Sequence, residues 1–202
     1  MIGLVYLLVM GSHLLLSIWV VKIAIKEARK YGKPSWRYGV PVGIMMFSLL
    51  YWDLIPTHAV HRYYCLVDGG FTVNKTLEEW KRENPGVVEI LVPSESLESI
   101  VDGNRERYQL NQRFIWDIYT SHHAFGVRER DERIVDIENS EILARYVDFD
   151  TDIRRLSLEP RSYRDLRLWL SAISCEGEGG NKSKRSFHEM MHLLKYQEQI
   201  EL

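Results

Sequence analysis

The chain has 202 residues, 46% of them hydrophobic and 27% charged, with a formal net charge of −2. These values exclude a fully disordered chain, a collagen-like repeat and a disulfide-packed miniprotein. The lack of a basic excess speaks against nucleic acid as a partner. The charge is unevenly placed. Residues 1–55 hold six basic side chains (Lys22, Lys26, Arg29, Lys30, Lys33, Arg37) against Glu27 and Asp53, a net of +4. The 20 basic and 26 acidic residues that remain give 56–202 a net of −6.

Ile2 to Val21 carries no charge. A helix rising ~1.5 Å per residue crosses a hydrocarbon core of roughly 30 Å over such a length. A cleavable signal peptide would need a basic stretch before the apolar run and a small-residue cleavage site after it. Here Lys22 and Lys26 follow the run instead. The expectation is a retained transmembrane helix over about 2–23. A second span is predicted over 38–55, with Tyr51 and Trp52 in the interfacial aromatic belt and Asp53 in the headgroup layer. A buried core helix is the alternative for this stretch. The link at 24–37 reads as a tight hairpin. Gly32 suits the left-handed residue that closes a helix, Pro34 forbids continuation, and Ser35 is a candidate N-cap. Pro41 falls in the first turns of the second helix, where a missing N–H costs little. Ala24 and Ala28, and Gly39 and Gly43, place small residues one turn apart on each helix, which lets backbones approach closely in lipid.

The basic cluster lies between the two spans. Under the positive-inside rule the loop at 24–37 is cytoplasmic, and both termini with the main domain lie on the far side, the periplasm in a bacterium. His13 is the one ionisable group deep in a span. Such a residue points to function by default, but a neutral imidazole hydrogen-bonded to a neighbouring helix or to backbone accounts for it without one.

Residues 56–202 are expected to form a soluble α+β domain. Thr57 to Leu66 continues the second helix, which Gly69-Gly70 stops. Phe71 to Asn74 is a short extended piece. Thr76 and Glu79 have the capping-box spacing, so a short helix follows to about Glu83, closed by Asn84-Pro85-Gly86. Tyr108 to Tyr119 alternates large apolar and polar residues. Val127 to Ile137 and Ile142 to Phe149 flank a Glu138-Asn139-Ser140 turn, a hairpin signature. These stretches predict an antiparallel meander of three or more strands, with the acids Glu129, Asp131, Glu132 and Asp136 on a solvated face. Leu166, Trp169, Leu170 and Ile173 have helical spacing and predict a helix over 163–173, laid on the sheet. Glu176 to Arg185 reads as a loop and Phe187 to about Gln199 as a last helix. The fold class expected is therefore α+β: a two-helix transmembrane hairpin over 1–55, then an antiparallel β-meander with flanking helices.

There are two cysteines, Cys65 and Cys175. In an oxidising compartment a pair of cysteines usually becomes a disulfide. The bridge is expected here, with two unrelated buried thiols as the alternative. No CxxC motif is present, which argues against thiol oxidoreductase chemistry.

His188-Glu189-Met190-Met191-His192 matches H-E-x-x-H, in which two histidines on one helix face bind zinc and the Glu activates water. A third ligand downstream would have to be Glu198 or Glu201 on the same helix, which is poor tetrahedral geometry; His122, His123 or an acid upstream is the other source. An amphipathic terminal helix with exposed histidines explains the same residues without a metal. His58, His61 and Cys65 have a spacing open to a metal or haem, or to a purely interfacial role. His122 and His123 are adjacent on a strand or its end, so they face opposite ways.

Residues Tyr51 to Cys65 (YWDLIPTHAVHRYYC), Lys75 to Gly86 (KTLEEWKRENPG), Arg133 to Asp136, Ala144 to Phe149 and Leu168 to Cys175 carry a resemblance. This wording resembles a group of small uncharacterised proteobacterial inner-membrane proteins with a periplasmic domain. The resemblance covers most of 50–175, implies a bacterial inner-membrane origin and brings no catalytic residues. The histidine motif lies outside it. The function expected is that of a membrane-anchored periplasmic accessory protein, with the lipid bilayer and another envelope protein as partners and no cofactor. A membrane-tethered zinc hydrolase using His188, His192 and Glu189 is the alternative.

Overall fold

A computed structural model describes residues 2–94, 99–151, 167–172, 174–177 and 182–196. Among these the chain forms five α-helices and one six-stranded antiparallel sheet, an α+β protein. It divides into two compact units, Met1–Pro56 with Ile153–Ser171, and Thr57–Asp152 with Ala172–Leu202.

The first unit is built on α1 (Ile2–Lys30) and α2 (Trp36–Tyr51). Gly32 takes φ +64° in the turn between them, as a left-handed closing residue must. Ser35 is not an N-cap. Its backbone is already helical and its side chain bonds no helix N–H; the hydroxyl accepts from Arg29 Nε instead, at 3.3 Å. Ala28 and Gly39 are buried, and a Cβ added at Gly39 would meet Ile25 at 3.0 Å. Leu7–Lys30, with mean hydropathy 1.9, is long and apolar enough to cross a membrane. By contrast, α2 reaches that length only if counted together with α3 (Leu54–Val67) across the turn at Trp52-Asp53.

That turn corrects the expectation of one helix running from 38 into the sixties, and Asp53 lies in it. The residue is only 4% exposed: its carboxylate pairs with the Arg167 guanidinium and accepts the Trp169 indole N–H at 3.1 Å. Tyr51 packs edge-on against the Trp169 ring, with centroids 4.8 Å apart. The helix predicted over 163–173 is not found among the described residues there. Leu168–Leu170 is a single 3-10 turn, and positions 163–166 and 173 lie outside the description. Beyond it Ala172 is held to Thr151, its N–H on the Thr151 hydroxyl and its carbonyl on the Thr151 N–H.

In the second unit the strands are β1 (Gly70–Val73), β2 (Ser99–Asp102), β3 (Arg105–Gln109), β4 (Phe114–His122), β5 (Arg128–Asp136) and β6 (Glu141–Asp150). They lie in the order β1-β6-β5-β4-β3-β2, so β2 to β6 form a meander and β1 adds to its outer side. The predicted hairpin across 138–140 is the β5–β6 pair. A register shift lets Leu143 bulge into the core, where its carbonyl also accepts the N–H groups of Asn74 and Lys75. The capping box at Thr76 and Glu79 is formed and starts α4 (Leu77–Glu83).

One sheet face carries Phe114, Ile134, Ala144 and Tyr146 against Trp80 of α4 and Phe187 and Leu194 of α5 (Lys182–Tyr196). This last helix starts five residues before its predicted position, so the loop expected to reach Arg185 is shorter. The other face carries Val147 and Phe149 against Val60, Tyr64 and Cys65 of α3. Cys65 and Cys175 are joined as a disulfide with Cα atoms 5.2 Å apart. Gly69 leaves no room beside it: an added Cβ would lie 2.7 Å from the Cys65 carbonyl oxygen and 3.1 Å from Cys175 Sγ. Gly69→Ala is expected to destabilise the unit by about 1–3 kcal/mol, the usual cost of overpacking a rigid site. Thermal unfolding of the variant beside the parent checks this, and an unchanged midpoint contradicts it.

Candidate functional site

Of the acids expected on a solvated face, Glu129 is partly buried and the other three are buried outright. Asp131, Glu132 and Asp136 of β5, and Asp117 of β4, are all buried. Burial of a carboxylate is tolerated only with compensating partners, and each has them. Asp136 accepts from Trp80 Nε1 at 2.8 Å and Arg113 Nε at 2.6 Å. Glu132 accepts from Trp116 Nε1 at 3.1 Å and lies 2.8 Å from Arg130 Nε, an ion pair whose angles miss those of a hydrogen bond. Those two acids sit on the α4/α5 side.

Asp117 and Asp131 sit on the opposite face and are each gripped by two arginines. Asp117 accepts Nε of Arg105 at 3.2 Å and Nε of Arg107 at 2.9 Å. Asp131 accepts Nε of Arg145 at 2.9 Å and Nε of Arg133 at 3.1 Å. In all four arginines the Nε–Nη2 edge faces the carboxylate. The guanidiniums of Arg105 and Arg133 also lie over the Tyr119 ring, 5.2 and 4.8 Å from its centre.

Register explains the array. Arg107, Asp117, Arg133 and Arg145 stand on one cross-strand rung, and Arg105, Tyr119 and Asp131 on the next. The adjoining rung is apolar, with Ile115 opposite Val135 and Val135 opposite Ile142. Between the rungs lies a cleft of about 350 Å³. In a stretch of chain carrying a net −6, this face gathers four guanidiniums around two carboxylates. Sequence reasoning missed it, although Arg105-x-Arg107 and the alternation of β5 place these residues on one face at period two.

The residues singled out from sequence fall elsewhere. His188 and His192 lie on α5 as predicted, but His188 faces the Trp116 ring edge at 6.1 Å and His192 packs on Tyr196 at 4.5 Å. Glu189 is exposed. Burial holds the His188 imidazole below its usual range, opposed by the nearby Glu132 carboxylate. His188, Glu189 and His192 do not bring ligand atoms within 4.8 Å of one another; among the described residues only His61, Cys65 and Cys175 do so. The two sulfurs of that group are bonded to each other, and His61 Nε2 lies 2.9 Å from the Phe149 carbonyl oxygen. His122 is exposed, whereas His123 pairs with Glu129 at 2.7 Å and packs on Tyr64. His13 Nε2 donates to the Met46 carbonyl of α2 at 3.2 Å, and Gly43 lies opposite Val21 of α1. Ala24, one turn before Ala28, is half-buried. No family model matches the chain, and neither a curated protein nor a solved structure is significantly similar to it.

Asp131 titrates unusually. Burial alone would raise its carboxyl, but hydrogen bonds and charge from Arg133 and Arg145 outweigh that and hold it below the ordinary range. A carboxyl lowered on folding contributes stability above its unfolded pKa and loses it as pH falls toward the folded value. Asp131→Asn leaves Arg133 and Arg145 directly opposed in register. The expected loss is about 3 kcal/mol near neutral pH, the low end for breaking a buried pair because both arginines stay partly solvated. Denaturant titrations from pH 7 to 3 check this. The variant's stability should fall less steeply below pH 4 than the parent's, and identical slopes contradict the assignment.

Proposed function

We propose that this chain is a membrane-anchored accessory protein whose second unit works outside the cytoplasm, in the periplasm of a bacterium, by binding another envelope component rather than by catalysis. The pairing of a long apolar helix with a cystine carries this reading. Leu7–Lys30 suits a membrane span, and the bond between Cys65 and Cys175 suits an oxidising compartment. The two were inferred from unrelated features and point to the same place. The close approach of α2 to α1 at Gly39 suits a helical hairpin in lipid, with the six basic residues of 22–37 at its cytoplasmic end. The inner-membrane assignment rests on this charge pattern and on the resemblance at 50–175.

A reporter active only outside the cytoplasm, fused after Leu202, is expected to be active, and one active only inside is expected to be silent. The reverse result overturns the orientation. Unreduced, denatured protein should titrate no free thiol. Cys175→Ser should cost about 2–5 kcal/mol, as removal of a native bridge typically does. Two titratable thiols in the unreduced protein would contradict the oxidising compartment.

A further inference from the structure

We infer that the cleft between the arginine rung and the apolar rung of the sheet binds a small apolar acid, a carboxylate joined to a branched aliphatic group. Three observations meet there. First, the charge balance is local and positive: four guanidiniums share two carboxylates. Second, each guanidinium is held by its Nε–Nη2 edge, so the Nη1 N–H groups of Arg107 and Arg133 hydrogen-bond to nothing among the described residues, while Arg105 also meets Tyr119. A guanidinium presents five donors in a rigid fork and matches a carboxylate. Held on buried Asp117 and Asp131, these forks have already lost the side-chain freedom that binding would otherwise remove. Third, the cleft continues onto Ile115, Val135 and Ile142, and Ile137 at its rim is 46% exposed.

Its volume of about 350 Å³ lies in the range of small-ligand sites. A purely ionic ligand would leave the apolar half unused, and a neutral apolar one would leave the guanidiniums unanswered. An acid with a branched apolar group satisfies both halves. The chemistry has two sources, a free small acid or the C-terminus of a polypeptide ending in an aliphatic residue. This site rests on the reading of the second unit as a binding module but not on which side of the membrane it lies.

The test uses the full chain in nanodiscs of zwitterionic phosphatidylcholine, titrated with N-acetyl-leucine and followed by isoleucine and valine methyl resonances. Saturable shifts confined to Ile115, Val135, Ile137 and Ile142 are expected. N-acetyl-leucinamide, which lacks the charge, and acetate, which lacks the apolar group, should each bind at least about ten-fold more weakly. Arg107→Gln should weaken N-acetyl-leucine about ten-fold. Asp117 keeps Arg105 in that variant, so the fold has a remaining partner. Ile137→Asn, at an exposed position, serves as the second variant and should weaken N-acetyl-leucine while leaving acetate unchanged. A pentapeptide ending in leucine that binds more tightly than N-acetyl-leucine assigns the acid to a polypeptide C-terminus, and equal affinity assigns a free acid. Absence of saturable shifts, equal binding of the amide, or parental affinity in both variants overturns the site. A reversed membrane orientation would leave the binding intact, so the two readings fail separately.

Discussion

Each buried carboxylate of the two central strands is met by a cation or an indole N–H, and the sheet depends on that pairing. An isolated buried carboxylate costs far more than a small unit has to spare. Asp117 and Asp131 are met by arginine pairs, Glu132 by Arg130 and Trp116, and Asp136 by Arg113 and Trp80. Removing one member of such a set leaves the other buried without its partner, which is where the larger mutational losses arise. Asp136 also reaches beyond its own strand. Through Trp80 it fixes α4, and through Arg113 it fixes the turn before β4, whose guanidinium also donates to Asn84.

This arrangement lets the two sheet faces differ. On the side of α4 and α5 the acids are embedded among Trp80, Phe114 and Phe187, and apolar packing dominates. Asn111 completes that side: its side chain accepts the N–H groups of Arg113 and Phe114 and donates to the Leu194 carbonyl of α5. On the other side α3 and the disulfide cover Val147 and Phe149, while the arginine rung farther along stays partly solvated. The covered part is held covalently across 110 residues of chain. The uncovered part is held electrostatically.

What the sequence made legible was local, or tied to one strong chemical constraint. The capping box at Thr76 and Glu79 joins residues three apart, the β5–β6 turn is announced by Glu-Asn-Ser between alternating runs, and two cysteines leave one pairing. The β2–β3 hairpin escaped notice despite Asp102-Gly103-Asn104, with Gly103 at φ +60°. Period-two polar runs read as solvated, because alternation does not reveal whether a polar face meets water or paired charges. The partners of Asp53, Arg167 and Trp169, lie more than a hundred residues away, so nothing near it in the chain announces the pairing. The same contact explains why Leu168–Leu170 forms a single 3-10 turn. Trp169 and Leu170 have helical spacing, yet Trp169 is committed to Asp53, and the chain just beyond, at Ala172, to Thr151. None of the cleft's residues carried a motif, since it arises only when three rungs are brought into register.

Stability and the proposed recognition draw on opposite edges of the same guanidiniums in this sheet. Arg133 and Arg145 stand opposite one another, an arrangement that repels unless a shared anion lies between them. Asp131 is that anion, and it neutralises one charge of the two. The residual positive charge is a standing cost to the fold, largest at low ionic strength and reduced by any anion that settles on the free guanidinium edges. An acid bound in the cleft would therefore stabilise the folded chain by more than its own contacts, because it also relieves repulsion that the sheet already carries. By linkage the stabilisation grows with ligand concentration above Kd. It should also weaken as added salt screens the same charges, which separates it from binding driven by the apolar rung alone.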